Sequence, residues 1–486
     1  MESEKPITEK SIETLAPEIV NNDHVEKKVT EEEDSSSSSS SESEKLKNVV
    51  LVVLGDIGRS ARMQYHALSL ASNGYHVDIV GQNETALKQQ VLDSPDISIA
   101  DLTTFPPLST DTNTIVFTLY AFLKIIYQIV QLIVTLCFTV DRPKYIIVQN
   151  PPSIPVLAIV KIVCAIRRTE MIIDWHNYGY SILAMRLGED SSLVKIAKDY
   201  EKYFGQMASK NICVTDKMAK DLSKNWGIKK PIVTLHDKAP KSYKKLSTLE
   251  SVEFWTELFS SEQLKRKVPD SYIHMLETVN GTKTIDQNGR SVGKPLVLTT
   301  GTSWTADEDL YLMLNSLKQY NEETKNDDRY PNLLVIITGK GPMQQEFEKT
   351  IEYLVLEKVF ITTAWLSPEN YPRLLGSADL GVSLHKSSSG LDLPMKIVDM
   401  FGCGLPVLSY KFNCIEELVK PGVNGEVFES SEELTKQLKV IAENYLDNGN
   451  VLRNLQIGAE EFKSVSWEEN WDQLVLPMLE SKQKKD

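Results

Sequence analysis

Val49-Val50-Leu51-Val52-Val53-Leu54-Gly55-Asp56-Ile57-Gly58-Arg59-Ser60 decides the fold. The six apolar residues suit a short strand buried on both faces of a parallel sheet. The glycine-bearing turn ends it. Met63, Ala67, Leu70 and Ala71 then share one face of a helix that stops at Asn73-Gly74, and Tyr75–Val80 reads as the next strand. Strand, turn, helix, turn, strand is a βαβ unit. Tyr145–Val148, Met171–Ile173 and Ile212–Thr215 extend the same series. A second series follows, with strands at Pro295–Thr299, Leu333–Thr338, Val359–Thr362, Leu380–Leu384 and Pro406–Leu408. The fold class is therefore α/β, with two doubly wound domains. Ligands of such sheets bind at the carboxyl ends of the strands, which places the site in the cleft between the domains.

The expected boundaries are a tail over 1–47, an N-terminal domain over 48–237, a linker or insert over 238–293, a C-terminal domain over 294–460 and a final helix over 461–486. The chain has 486 residues and a net charge of −14, and residues 1–47 carry half of that charge, with 13 acids against 6 lysines. The tail also holds the run Ser35–Ser41 and no aromatic residue, a composition that cannot offset its ordering entropy by burial. An acidic chain without a basic block is a poor nucleic-acid binder. Five scattered cysteines with no CxxC pair argue against a disulfide framework or a cysteine zinc site. The acidic start carries no apolar stretch, so neither a cleaved signal nor an N-terminal anchor is expected.

Ile115–Val140 holds one charge, Lys124, in 26 residues, which is long enough to span a bilayer. Lys124, Gln128, Gln131 and Thr135 fall on one helical face, and the strands on either side of the helix belong to one sheet. Three readings follow: a plain core helix, a true span, and a helix that packs on the sheet while docking in a membrane surface, with Lys161, Arg167 and Arg168 near the head groups.

Four stretches concentrate polar chemistry. The turn Gly55–Gly58 either cradles phosphate with its backbone N–H groups or is a tight turn with Asp56 as a helix cap. Asp174-Trp175-His176-Asn177-Tyr178-Gly179-Tyr180 places an imidazole able to accept a proton among amide and aromatic groups suited to sugars. Thr302 and Ser303 follow the first strand of the second domain. Lys340, between Gly339 and Gly341, follows the next strand, where an ammonium group can meet phosphate while the glycines permit close approach. The richest stretch, His385 to Pro406, places Ser387, Ser388, Ser389, Gly390, Leu391 and Asp392 ahead of a helix that Pro394 opens. Hydroxyls and free N–H groups at that helix start make an anion cradle. Lys396 adds a cation, and Asp399 is suited to accept two ribose hydroxyls.

Val53–Ser60, Gln149-Asn150-Pro151-Pro152-Ser153-Ile154-Pro155, Asp174–Tyr178 and Ser388–Lys396 closely resemble glycosyltransferase family 33, the chitobiosyldiphosphodolichol β-mannosyltransferases, and the resemblance runs from about Asn48 to Trp471. It implies a GT-B fold, two facing Rossmann-like domains with the active site in the cleft. It implies GDP-mannose as donor, held mainly by the C-terminal domain, and di-N-acetylchitobiosyl-diphosphodolichol as acceptor. The product would carry a β-1,4-linked mannose formed with inversion, on the cytosolic face of the endoplasmic reticulum membrane. Other mannosyltransferases of the same pathway are implied as partners. A catalytically silent scaffold of the same fold is the alternative reading.

Inversion by direct displacement needs one base and stabilisation of the leaving diphosphate. Asp56 and His176 are the two candidates for the base. Gly58, Thr302, Ser303, Lys340, Ser388, Ser389, Gly390, Leu391, Asp392, Lys396 and Asp399 are the expected donor contacts, and Trp175, Asn177 and Tyr178 the expected acceptor contacts. No metal-binding acidic triplet stands at a strand end, so no cofactor is expected and any divalent cation is expected to be non-essential. Two departures from retaining relatives stand out: their Glu-x7-Glu pair falls here on Leu391 and Asp399, and acids replace the Arg and Lys they keep after the first strand of the second domain. Animal and fungal members begin with a transmembrane helix where this chain has its acidic tail, so membrane contact is expected to rest on Ile115–Val140.

Overall fold

The computed structural model describes residues 47–106, 114–277, 284–285, 291–305, 308–443, 445 and 450–481. The tail and Ile115, the first residue of the long apolar stretch as far as its side chain is concerned, lie outside what is described. Seven strands form the first sheet: β1 (Asn48–Asp56), β2 (His76–Gln82), β3 (Ile97–Asp101), β4 (Tyr145–Asn150), β5 (Glu170–Trp175), β6 (Lys210–Cys213) and β7 (Ile232–Thr234). After a short antiparallel pair, β8 (Thr284–Ile285) and β9 (Ser291–Val292), six strands form the second: β10 (Leu296–Gly301), β11 (Leu333–Thr338), β12 (Val359–Ala364), β13 (Leu380–Ser383), β14 (Val407–Tyr410) and β15 (Gly425–Phe428). Both large sheets are wholly parallel, in the orders β3-β2-β1-β4-β5-β6-β7 and β12-β11-β10-β13-β14-β15. The strand order reverses at β1/β4 and at β10/β13. The loops leaving those strands border a crevice at each switch point.

Helices cover both faces of the first sheet, which is why β1 reads as an unbroken apolar run rather than an alternating one. Val49, Leu51 and Val53 face α1 (Ala61–Ser72), and Val50 and Val52 face the layer that contains α2 (Thr114–Val134), α3 (Val156–Arg167), α4 (Gly179–Leu187), α5 (Ser192–Gly205) and α6 (Asp216–Lys224). The second sheet carries α7 (Met395–Gly402) on one face, beside Phe254, Trp255, Tyr272 and Leu276 from the 238–293 segment. That segment is therefore packed structure and not a bare tether. The last helix, α8 (Trp467–Glu480), returns from the second sheet to the first and buries Trp467, Trp471 and Val475 against β1 and α1. A capping box of Ser466 and Glu469 starts it, and Lys210 Nζ meets the carbonyl of Leu479 near its end at 3.2 Å.

α2 packs Leu132 into the core but leaves most of its apolar side chains outside. Tyr127 Oη lies 2.5 Å and the Gln131 amide 2.8 Å from Thr103 Oγ1, and Thr135 and Leu136 are buried. The side bearing Tyr127, Gln131 and the buried Leu132 thus faces the protein, while Leu119, Phe122, Ile126, Val130 and Val134 face outward and Phe138 just beyond is 81% exposed. Arg167 donates to the carbonyls of Leu136 and Val140 and closes the helix end. Among the described residues, Phe122–Thr139 is the one segment long and apolar enough to cross a membrane.

Candidate active site

At the end of β1 the chain turns on Asp56. Its Oδ1 accepts from the backbone N–H groups of Gly58, Glu84 and Thr85, each at 3.2 Å. Its Oδ2 accepts from Thr85 Oγ1 at 2.7 Å and lies 3.3 Å from Arg59 Nε. The Thr85 hydroxyl, more than any other contact, holds this carboxyl below its usual range. A Cβ on Gly58 would stand 2.2 Å from Thr85 Oγ1, so only glycine lets the two loops close. Of the two readings of this turn, the cap describes it. Asp56 arrives with its lone pairs occupied and its proton affinity lowered, the opposite of what a base needs. The Gly58 N–H is spent on Asp56 and is not free for phosphate.

At the end of β5 a second carboxylate is held differently. Asp174 has no solvent exposure. Arg62 grips it with Nε 2.9 Å from Oδ2 and Nη2 3.0 Å from Oδ1, while Nη1 reaches Asp237 at 2.7 Å and the carbonyl of Leu235 at 2.9 Å. His176 Nε2 lies 2.6 Å from Asp174 Oδ2. Burial by itself pushes the Asp174 carboxyl up. The Arg62 guanidinium, helped by the imidazoles of His176 and His66, outweighs burial and holds the group well below the usual carboxylate range. An ionised Asp174 accepts the Nε2 proton of His176, which assigns the lone pair of the neutral ring to Nδ1. Nδ1 has no hydrogen-bond partner among the described residues. The ring is 22% exposed and lines an interdomain cleft of about 300 Å³ with Gly55, Asp56, Arg59, Gln149, Asp237, Asp392 and Met395.

Trp175 and Tyr178 do not reach that cleft, which corrects their expected role. Trp175 is fully buried, with its N–H on Asn211 Oδ1 at 2.9 Å. Tyr178 is equally buried, donates to Asp221 Oδ2 at 2.6 Å and stacks on Trp226 with ring centroids 4.4 Å apart. Neither ring has a face left for a sugar. Asn177 is spent as well, on Ser388 Oγ (3.2 Å) and Asp392 Oδ1 (3.0 Å) of the other domain.

The facing wall is the loop before α7. Ser387 donates to Asp392 Oδ1, Gly390 N–H to Ser387 Oγ at 2.8 Å, and Leu391 N–H to Ser389 Oγ at 3.2 Å. Ser388 Oγ lies 3.0 Å from Ser181 Oγ of α4. Leu391 is buried in the hydrophobic cluster of the first domain, and Thr215 Oγ1 donates to its carbonyl at 2.7 Å. Its side chain is a cross-domain plug and not a donor contact. Glu417 adds a latch: it accepts from the N–H groups of Asp216 (2.7 Å) and Lys217 (2.8 Å), capping α6 from the other domain, with His236 Nε2 at 3.2 Å. No side chain caps α7, whose first turn faces this loop.

The loops after β10 and β11 pack backbone to backbone. A Cβ on Gly339 would stand 1.8 Å from the carbonyl oxygen of Thr302, and one on Gly341 1.9 Å from that of Ser303. Both glycines therefore serve loop packing, not ligand approach. Glu308 accepts from Thr302 Oγ1 at 2.6 Å and from Ser303 N–H at 2.9 Å, and it pairs with Lys396, whose Nζ also meets the Gly301 carbonyl at 2.9 Å. Thr302 is buried by this arrangement. Lys396 is thus a charge already matched by Glu308, a correction to its reading as an uncommitted cation. Lys340 is exposed, with Nζ 4.2 Å from the centre of the Trp365 ring. Burial, reinforced by Asp237 against Lys88, pushes the Asp399 carboxyl up to about 7.

With this geometry in place, the relatives are informative. A family model described as glycosyl transferases group 1 matches residues 283–459. A chitobiosyldiphosphodolichol β-mannosyltransferase of Mus musculus is 39% identical over 438 residues, covering 90% of this chain and 89% of its own. One of Candida albicans is 40% identical over 446 residues, covering 90% of each. The chain belongs to the chitobiosyldiphosphodolichol β-mannosyltransferases.

The fold of this mannosyltransferase is GT-B. Anabaena HepE, solved with UDP and glucose, superposes with a TM-score of 0.58 over 90% of this chain and 100% of its own, at 16% identity. The cleft of the mannosyltransferase brings Asp56, His176 and Asp392 together. It leaves Thr302, Ser303 and Lys340 on the separate pair of loops. Sequence reasoning passed over Arg62, Asp237 and Glu308. Arg62 lies in the first turn of α1 and 112 positions from Asp174, and nothing local marks such a pair. Asp174 itself was visible, as the acid two residues before His176.

Proposed function

We propose that this enzyme transfers mannose from GDP-mannose to di-N-acetylchitobiosyl-diphosphodolichol, with inversion, to form a β-1,4 linkage. Neutral His176 takes the proton of the acceptor hydroxyl on Nδ1. The hydroxyl oxygen forms a bond to the anomeric carbon of mannose while the bond from that carbon to the diphosphate oxygen breaks on the opposite face. Ionised Asp174 stabilises the imidazolium that results. The uncapped start of α7, the hydroxyls of Ser388 and Ser389, and Lys340 are the groups assigned to the negative charge of departing GDP. The carrying observation is the 2.6 Å contact of His176 Nε2 with a buried, ionised Asp174 at the wall of the cleft.

The lipid acceptor implies work at a membrane surface, which for this pathway is the cytosolic face of the endoplasmic reticulum. The outward apolar face of α2, with Phe138, is the assigned contact, because its large apolar side chains are exposed as one surface. Incubating purified protein with GDP-mannose and a chitobiosyl-diphosphate lipid should add one mannose that β-mannosidase removes. No transfer, or an α-linked product, would contradict the proposal. Phe122→Glu with Val130→Glu should release the protein from liposomes while leaving its circular dichroism unchanged. Undiminished binding would remove α2 from the membrane contact.

A further inference from the structure

Asp174 does not stand alone behind His176. His66 of α1, wholly buried, points Nε2 at Asp174 Oδ2 from 3.2 Å, off the line of a well-aligned hydrogen bond. Its other nitrogen, Nδ1, accepts from Trp471 Nε1 at 2.9 Å, so the proton of the neutral ring resides on Nε2. Trp467 stands edge-on to the same ring with centroids 5.3 Å apart. An apolar side chain would fill this space without burying an N–H that lacks an aligned partner. The polar arrangement therefore has a cost in stability, and what it gains is a donor aimed at Asp174.

Both chain crossings between the domains end on the partners of this carboxylate. Trp467 and Trp471 lie on α8, which returns from the second domain, and Trp467 also lies 5.4 Å under the Arg62 guanidinium. Arg62 in turn holds the Leu235 carbonyl and Asp237, in the segment that leaves the first domain.

We propose that His66, its ring locked by Trp471, is a positioning residue that backs the Asp174 carboxylate and so fixes the His176 imidazole for proton transfer. The last helix of the chain is then part of the base machinery, although it touches no substrate. This inference rests on the assignment of His176 as the base. The charged or titratable groups facing the His66–Asp174–His176 line are Arg62 on α1, Cys213 on β6, and Asp237, which Arg62 also holds.

The test uses the full chain with GDP-mannose and a chitobiosyl-diphosphate lipid. Trp471→Phe removes one donor and keeps an aromatic ring. It should lower kcat about tenfold, a fraction of what a general base supplies, with both KM values little changed. Losing the His66 lock lets the Asp174 carboxylate shift off the His176 Nε2–H, so the imidazolium is less stabilised and the acidic limb of the pH–kcat profile should move to lower pH. Nitrogen NMR of labelled histidine should show the His176 resonance, identified by its loss in His176→Ala, leaving its single Nε2–H tautomer. His66→Leu should behave like Trp471→Phe, and His66→Gln, which keeps a donor at that end, should recover most of kcat. Wild-type kcat and an unchanged His176 tautomer in folded Trp471→Phe would overturn the proposal. So would a loss of stability and kcat together with the tautomer unchanged. Should wild-type protein transfer no mannose at all, the function fails on its own, and the NMR arm still decides the positioning.

Discussion

Two carboxylates, one in each domain, have opposite electrostatics. Asp174, in the first domain, is gripped by Arg62 and held ionised against its burial. Asp399, in the second, lies where Lys88 opposes burial without cancelling it, and its carboxyl is raised to about 7. The first half is a rigid, charge-matched scaffold suited to holding one imidazole in one tautomer. The second half is a set of serine hydroxyls, backbone N–H groups and matched lysines, held in place by bonds to the first. In the proposed mechanism proton chemistry falls to the first half and donor recognition to the second, whose loop before α7 is bonded to Asn177, Ser181 and Thr215 of the first domain.

The largest effect is expected at Asp174. Asp174→Asn keeps the shape but removes the charge that orders His176 and partners Arg62. Turnover should fall by about 10²–10⁴-fold, the range expected of general base catalysis. Stability should fall by about 3–5 kcal/mol, because Arg62 is left buried with half of its ion pairs. Steady-state kinetics and urea unfolding check the two effects separately. Leu391→Ala probes the dependent half. Removing the plug costs about 2–5 kcal/mol of core packing, expressed here as a weaker closed state. KM for GDP-mannose should rise about tenfold while kcat at saturation changes less, with circular dichroism unaltered.

The smallest effect concerns pH. A carboxyl whose folded pKa lies above its unfolded value stabilises the fold fully below the unfolded pKa, and that contribution is lost as pH rises through about 7. Asp399→Asn removes this titration, so its Tm should gain on wild type by a few degrees between pH 5 and pH 8. The depressed Asp174 has the reverse sign. Its contribution is present above the unfolded carboxylate pKa and is lost only as pH falls through its lower folded value. A Tm difference between Asp399→Asn and wild type that does not change over that range would place Asp399 in a more solvated setting.

Most of the architecture was legible because parallel strands buried on both faces are continuous apolar runs. Leu333–Thr338 is the clearest example, identical in sequence reading and structure. The strands Ile97–Asp101, Ile232–Thr234 and Gly425–Phe428 escaped because each is short, at the edge of its sheet, and only partly buried. The site was legible in its loops but not in its pairings. His176 stands in a visibly polar stretch, whereas the partners that define it come from Arg62, His66 and Trp471, far away in the chain. Trp175 and Tyr178 misled for the complementary reason. Aromatic rings beside a functional histidine look like a sugar platform, and only packing against Trp226 reveals them as core. Lys396 was read as a free cation because Glu308, its partner, lies 88 positions earlier.

Both His176 and Asp56 line the cleft, but only His176 has a lone pair to offer as the base. Measuring kcat for Asp56→Asn and His176→Gln side by side, at the wild-type pH optimum and saturating GDP-mannose, tests it directly. His176→Gln should lose at least about 10²-fold in turnover, and Asp56→Asn, a change to a loop cap, less than about tenfold. The reverse order, or near-normal turnover in His176→Gln, would contradict it.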